Sequence, residues 1–430
     1  MAVEKRSLGE ATAVKTMLGS NAVLIEIGGS VHRITLDDFQ EVLSEDKGEL
    51  LQSVAWGVPI KQSVQTSPNW GRVGNLAQWE QYKALMGRYL LTSDGTKAAK
   101  LSATDSSKYA DGTTVNESAG NIMFHAPRLY FHVAETGDAG VPYLWMSQYP
   151  IGGHFIPETW LGAFMGYVDS GKLRSISGKK PTATTTINSF WNAAQGNGSD
   201  YGLINYDHCR LMEMLNLSEY GNANSQLNIG YGCCGTGDTW EKTNGLLTGA
   251  TTSLGDACGK IDISAVAGNA NSSRVSLFGV EDFWGWYWQL VQNVYFGSSS
   301  NAGQTGSECY IYEGNRMPTT AELASHPAGD YRQVGRYTNG GRTKEQLIGE
   351  YFDLIPQTMG ADSNSCWCDY YWATTTGQLL LWGGSADNGA NCGVSYSNSN
   401  YAWASTGASI GSRLAYFGKP KIVNGAAITA

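Results

Sequence analysis

Long hydrophobic runs are missing. No stretch of 18 apolar residues occurs in the 430-residue chain, so no helical membrane span is expected. The opening residues Met-Ala-Val-Glu-Lys-Arg-Ser lack the apolar core of a signal peptide, so synthesis in a cytoplasm without signal-directed export is the expectation. Charge is scarce as well: Asp, Glu, Lys and Arg make up only 16% of the residues, with a net charge of −9. An acidic chain gains nothing from counterion release, which excludes nucleic acid and anionic membranes as general partners.

The motifs of common enzyme classes are absent too. No GxSxG elbow, no HExxH and no Rossmann glycine fingerprint is present in the strand-to-helix context each requires, and "GDACGK" at 255–260 falls one residue short of a phosphate-binding loop and lacks its Ser or Thr. The eight cysteines permit disulfides, but they form no CxxC pair, and the spacings of Cys233-Cys234 and Cys366-x-Cys368 match no common zinc module. They are read as buried thiols. Six scattered histidines include His132 and His154 on predicted strands, where a structural role is the simpler reading. Glu281-Asp282 is a carboxylate pair, but nothing in the sequence opposes the two groups as acid–base work requires.

What is present is apolar, aromatic and loop-forming. A hydrophobic share of 42%, with 14 Trp, 23 Tyr and 11 Phe, supplies a substantial core, and 54 Gly imply many turns. Ser, Thr, Asn and Tyr cover the surface in place of Lys and Glu, a composition that suits adhesion outside a cell better than cytosolic catalysis.

Along the chain, "AVLIEIGGSVHRITLDDFQEVL" at 22–43 reads as two strands around Gly28-Gly29, followed by a helix opened by Thr35-x-x-Asp38: a small β-β-α region. Such a unit buries too little to stand alone, so residues 1–66 are assigned to attachment and oligomerisation. Residues 67–119 form a lead-in, with a helix over 75–90 capped by Asn75 that carries Leu76, Trp79, Tyr82, Met86 and Tyr89 at helical spacing. The main unit, 120–430, begins with the β-rich runs "NIMFHAPRLYFHVA" and "VPYLWMSQYPI". It contains a helix over about 206–217 and another opening at Pro318, and becomes loop-rich after Leu227.

Two blocks are dense in chemistry. Residues 277–291 combine Glu281-Asp282 with three Trp in five positions, read as a packed strand or turn whose indoles find partners. Residues 378–385 are an apolar strand ending at Gly383-Gly384, where unusual backbone angles are required.

The order "GVEDFWGWYWQLV", "GRYTNGG", "LLLWGGSADNGANCGV", "IGSRLAYFG" resembles the C-type-lectin-like fold of the formylglycine-generating-enzyme superfamily over residues 120–418. More narrowly, "SGKLRSISGKKPT" at 170–182 and "EYGNANSQLNIGYG" at 219–232 resemble the variable proteins of diversity-generating retroelements in phages of gut bacteria. The resemblance implies an α+β, loop-rich fold in which Gly383, Gly384, Gly411, Arg413 and Leu414 are framework. The chain departs from the superfamily pattern in having Trp286 where Asn is usual and Ala386 where an aromatic is usual, and the copper-binding cysteine pair has no counterpart. The fold is therefore implied without the oxidase chemistry.

The same resemblance implies a variable region at about 363–410, diversified at adenines of its template so that AAY codons change but never yield Lys, Glu, Gln, Met or Trp. The 25 positions Ser385–Ser409 contain no Lys, Glu, Gln or Met. The ligand-contacting surface residues implied by position are Tyr370, Trp382, Ser385, Asp387, Asn388, Asn391, Tyr396, Asn398, Asn400, Tyr401 and Ser405, with Trp367 and Trp403 as fixed neighbours. Tyr gives stiff contact area and Ser, Asn and Gly give adaptable hydrogen bonds, as in a paratope. The expectation is a receptor-binding protein of a phage tail, acting on the virion as a homotrimer beside other tail proteins. Its ligand would be a host cell-surface protein or glycan. No catalytic residue, metal or cofactor is expected, with structural calcium left open. The alternatives are a copper-dependent oxidase or sulfatase-modifying enzyme of the same superfamily, and a cell-surface lectin.

Overall fold

The structure is a computed structural model describing residues 11–17, 22–27, 30–35, 47–62, 69–134, 140–297, 307–319, 331–337, 340–374 and 376–429. It is a mixed α/β, sheet-rich protein. At the N-terminal end, strands Ala11–Met17, Ala22–Ile27 and Ser30–Thr35 form an antiparallel three-stranded sheet. The two β-rich runs expected on either side of Gly28-Gly29 are thus strands, with a third added in front. The helix expected after Thr35 lies outside the described residues, as does the one expected from Pro318 through Glu322 beyond Thr319.

Two sheets make the first half of the body. A five-stranded sheet runs in the order His154–Ile156, Leu129–Ala134, Tyr143–Ser147, Trp56–Pro59, Val73–Gly74. A seven-stranded sheet runs Tyr201–Leu203, Leu414–Tyr416, Thr159–Gly162, Gly120–Ala126, Gly87–Thr92, Lys97–Lys100, Lys421–Ile422. Sheet pairing therefore crosses both sequence boundaries, at 66 and at 119. Trp56–Pro59 pairs with Tyr143–Met146, and Gly87–Thr92 pairs with Gly120–His125.

The helix expected over 75–90 is Leu76–Leu85, and Asn75 Oδ1 accepts from Gln78 N as its cap. Trp79 and Tyr82 are buried against Trp56, with ring centroids 5.5 and 5.6 Å away. The helix ends sooner than its spacing suggests, because Met86 is extended and Gly87 opens a strand hydrogen-bonded along 120–125. Tyr89 is buried from that strand, where cross-strand pairing overrides helical periodicity.

Helix Tyr206–Tyr220 lies in the main core, with twelve of its residues buried. Asn205 Oδ1 accepts from His208 N, and His208 Nδ1 accepts from Asn205 N, closing a capping box. Burial pushes His208 down to about 4, in keeping with the neutral ring that this acceptor role needs. Gly221, at φ +66°, ends the helix.

The second half carries another seven-stranded sheet, ordered Ile355–Met359, Gly341–Leu347, Tyr370–Ala373, Ser397–Ser399, Leu381–Trp382, Trp288–Leu290, Ile410–Gly411. The Tyr370–Ala373 strand runs parallel to Ser397–Ser399, which pairs antiparallel with Leu381–Trp382.

Candidate binding surface

The aromatic block at 283–288 is framework. Trp284 Nε1 donates to Gly230 O at 2.9 Å and Trp286 Nε1 to Thr243 O at 3.1 Å, so both buried indoles are satisfied. Glu281 and Asp282 flank buried Arg274. The Glu281 carboxylate also accepts from Gly249 N, Thr251 N and Thr251 Oγ1, and the Asp282 carboxylate accepts from Val275 N. These carboxylates hold loops together and face no open cleft. Arg413 is wholly buried and donates to Gln289 Oε1 and to the carbonyls of Gly162, Glu281 and Asp282, which ties the returning C-terminal segment to both large sheets. Burial pushes its pKa down to about 10, still charged at neutral pH.

The two departures from the superfamily pattern meet in space. Trp286 and Ala386 share one buried cluster with Met165, Cys233 and Tyr287, and Ala386 N donates to Trp286 O at 3.1 Å. A large residue at one position packs beside a small one at the other within a close-packed interior.

At the glycine pair, Gly383 has φ +89° and Gly384 φ +77°. A Cβ on Gly383 would lie 2.4 Å from Phe283 O, and one on Gly384 2.6 Å from both Cys392 Sγ and the Tyr396 ring. Only glycine fits on both counts. The chain then folds back through Cys392–Tyr396. That return is clamped from the 219–232 motif: Ser225 Oγ accepts from Val394 N, Gln226 Nε2 donates to Ala390 O, and Asn224 Nδ2 donates to Ser365 O. The motif that carried the narrower resemblance thus holds both ends of the 363–394 segment.

Beneath the strands lie two buried carboxylates. Asp369 Oδ2 accepts from Ser395 N at 2.8 Å, and Glu213 Oε2 accepts from Ser395 Oγ at 2.9 Å. Burial pushes Asp369 up to about 6 and Glu213 well above the ordinary carboxylate range. A Cβ on Gly393 would meet Asp369 Oδ1 at 1.9 Å, so the return passes directly over this group.

The residues assigned to the surface divide. Trp382 and Ser385 are fully buried, and Tyr396 and Asn398 are 5% and 8% exposed, contrary to their expected place on the surface. The reason is packing. Trp382 Nε1 donates to Val394 O, Ser385 Oγ bonds Asp387 and Asn388, and the Tyr396 ring meets Trp288 edge-on at 4.6 Å. Asn398 lies on a central strand and caps Asn400 N. Asp387 is exposed, while Tyr370, Asn388, Asn391, Asn400, Tyr401 and Ser405 are half-buried. Trp367 and Trp403 are buried, Trp367 against Trp70 and Trp403 through Asn188 Oδ1.

Sequence reasoning missed Trp372. It is 41% exposed on the Tyr370–Ala373 strand, its ring stacked at 16° and 6.4 Å on Tyr370. Tyr371 between them is fully buried. The two-residue alternation of "YYWA" was the available signal. Tyr396 supports this face from beneath, 6.1 Å from Tyr370, and Asp387 and Tyr401 lie near enough to raise the Tyr396 hydroxyl pKa further after burial. The site is therefore an open aromatic strand face with polar loops beside it. All eight cysteines are free thiols, and among the described residues no three or more His, Cys, Asp or Glu are grouped to hold a metal ion.

No family model and no curated protein matches the chain. Among solved structures, the Major Tropism Determinant U1 variant is similar at 12% identity and a TM-score of 0.29, over 96% of this chain and 85% of that one. The M1 variant matches at 12% and 0.28 over the same shares, and the I1 variant at 13% and 0.28 over 94% and 84%. A likeness of this size assigns the chain to no family.

Proposed function

We propose that the protein is a receptor-binding adhesin of a phage tail, built on a C-type-lectin-like body of the formylglycine-generating-enzyme kind. It binds a host cell-surface protein or glycan without catalysis. The observation that carries this reading is the Tyr370–Trp372 pair, two stacked rings on one strand, with Trp372 exposed and Tyr370 half-buried. Stiff aromatic anchors ringed by adaptable polar groups are the composition of binding surfaces that tolerate sequence change. In this reading Asp387, Asn388, Asn391, Asn400, Tyr401 and Ser405 are contact positions within a diversified 363–410 segment, while the buried Trp382, Ser385, Tyr396 and Asn398 support it.

Residues 1–66 attach the protein to the particle beside other tail proteins, joined to the body through the Trp56–Pro59 strand, and 67–119 lead into the 120–430 body and share its sheet through Gly87–Thr92. A homotrimer, repeated on the virion, turns modest single-site affinity into stable adsorption through effective concentration. Labelled protein, multimerised on streptavidin and offered to a panel of intact gut bacteria, will be retained by particular strains; uniform absence of retention refutes the adhesin role. The surrounding DNA tests diversification separately. A near-identical repeat differing from codons 363–410 mainly at adenines, beside a reverse-transcriptase gene, is expected. Without it that part fails.

A further inference from the structure

A second place on the molecule has the shape and chemistry of a ligand site. A cleft of about 580 Å³ opens where the chain passes between the five-stranded sheet and the first seven-stranded sheet, at the 126–129 and 156–159 turns. That volume accommodates one or two sugar rings. Pro127 and Pro157 lie in these turns and line the cleft, their rings fixing the local φ.

Its charges are sorted. The lining carboxylate, Glu158, is engaged: Oε1 meets His125 Nε2 at 3.1 Å and accepts from Trp160 Nε1 at 3.2 Å. The lining cations are Arg128 and Lys419, both exposed. The Arg128 guanidinium lies 4.6 Å over the Phe155 ring and donates to Tyr130 Oη, so its planar fork is steadied by aromatic contact. Two exposed cations against the one carboxylate of Glu158, which His125 holds and Lys419 faces, leave the cleft net positive in a chain of net charge −9, and this favours an anion. Tyr130 and Phe417 add apolar walls and Gln148 an amide that can both donate to and accept from hydroxyls.

We propose that this cleft binds an acidic sugar residue of a saccharide, its carboxylate on Arg128 and Lys419 and its ring between Tyr130 and Phe417. The cleft shares no residue with the Tyr370–Trp372 face and does not depend on the role given to that face.

Saturation-transfer NMR of the full chain with glucuronate, glucose and acetate at equal concentration tests it. Glucuronate is expected to show transfer, and glucose and acetate little. Arg128→Ala and Lys419→Ala should each weaken glucuronate binding about tenfold, the scale of one lost charge-assisted hydrogen bond, with unchanged melting temperature. Tyr370→Ala with Trp372→Ala should leave it intact, which separates this site from the adhesin surface. No transfer from glucuronate, equal transfer from glucose, or undiminished binding in both cleft variants overturns the proposal. Acetate or inorganic sulfate competing as well as glucuronate overturns the sugar and leaves a simple anion site.

Discussion

The Asp369 carboxylate accepts the backbone N–H of Ser395 at 2.8 Å, so one buried side chain joins the residue before Tyr370 to the residue before Tyr396. The strand that presents the aromatic pair and the segment that supports it from beneath are held by a group whose titration lies near pH 6.

A pH dependence follows. Asp369 has a folded-state pKa raised to about 6 by burial, so the folded state holds the proton more tightly, and its contribution to stability is lost as pH rises from about 4 towards 6. Asp256 and Asp282, also raised to about 6, act in the same direction. His208, lowered to about 4 by burial, opposes them: its contribution is lost as pH falls from 6.5 towards 4. Asp369→Asn removes one contribution of the first kind, so as pH falls from 6 to 4 its melting temperature should drop relative to that of wild type. Parallel curves in differential scanning calorimetry would contradict this.

Trp286 and Ala386 are expected to behave as a coupled pair. Ala386→Phe alone overpacks a full cluster and should cost about 1–3 kcal/mol, and Trp286→Asn alone leaves a cavity costing about 3–5 kcal/mol. The double variant exchanges the large and the small side chain and should cost less than the sum by at least about 0.5 kcal/mol. Urea denaturation of all four proteins measures the coupling, and simple additivity would show that the two side chains do not share volume.

Gly384 separates backbone strain from collision. Gly112, at φ +85° with nothing within 4 Å of a built Cβ, reports strain alone, while Gly384 at φ +77° adds contact with Cys392 and Tyr396. Gly112→Ala should cost about 1–2 kcal/mol and Gly384→Ala clearly more. Equal losses of melting temperature would mean that the loop relaxes around the new methyl group.

Tyr396 and Trp372 should separate in their effects on stability. Tyr396→Ala empties a core site against Trp288 and should cost about 3–5 kcal/mol. Trp372→Ala removes an exposed ring and should change stability by no more than about 0.5 kcal/mol. Thermal melts of both variants check this directly.

Much of the framework was legible in the sequence because local chemistry specifies it. Asn75 announces a helix start, Gly383-Gly384 announces a turn no other residue can make, and the Trp-rich block reads as core. The premature end of the Leu76–Leu85 helix was not legible, since it depends on a strand beginning more than thirty residues later at Gly120. Neither was the inward turn of Trp382, Ser385, Tyr396 and Asn398. A Ser/Asn-rich segment has the same composition whether its side chains bond one another beneath a sheet or face water, and only the pairing with the Tyr370–Ala373 and Leu381–Trp382 strands decides. Trp372 was readable by alternation, but the flanking buried aromatics Trp367 and Tyr371 mask the period.

In this reading the Tyr370–Trp372 face makes the contact with the host. Binding of the multimerised wild-type protein to a retaining bacterial strain, compared by flow cytometry with the Tyr370→Ala, Trp372→Ala double variant, tests it most directly. Loss of binding by about tenfold or more with an unchanged melting temperature is the predicted result, the scale of one or two lost hot-spot side chains. Undiminished binding by the folded double variant would contradict the claim.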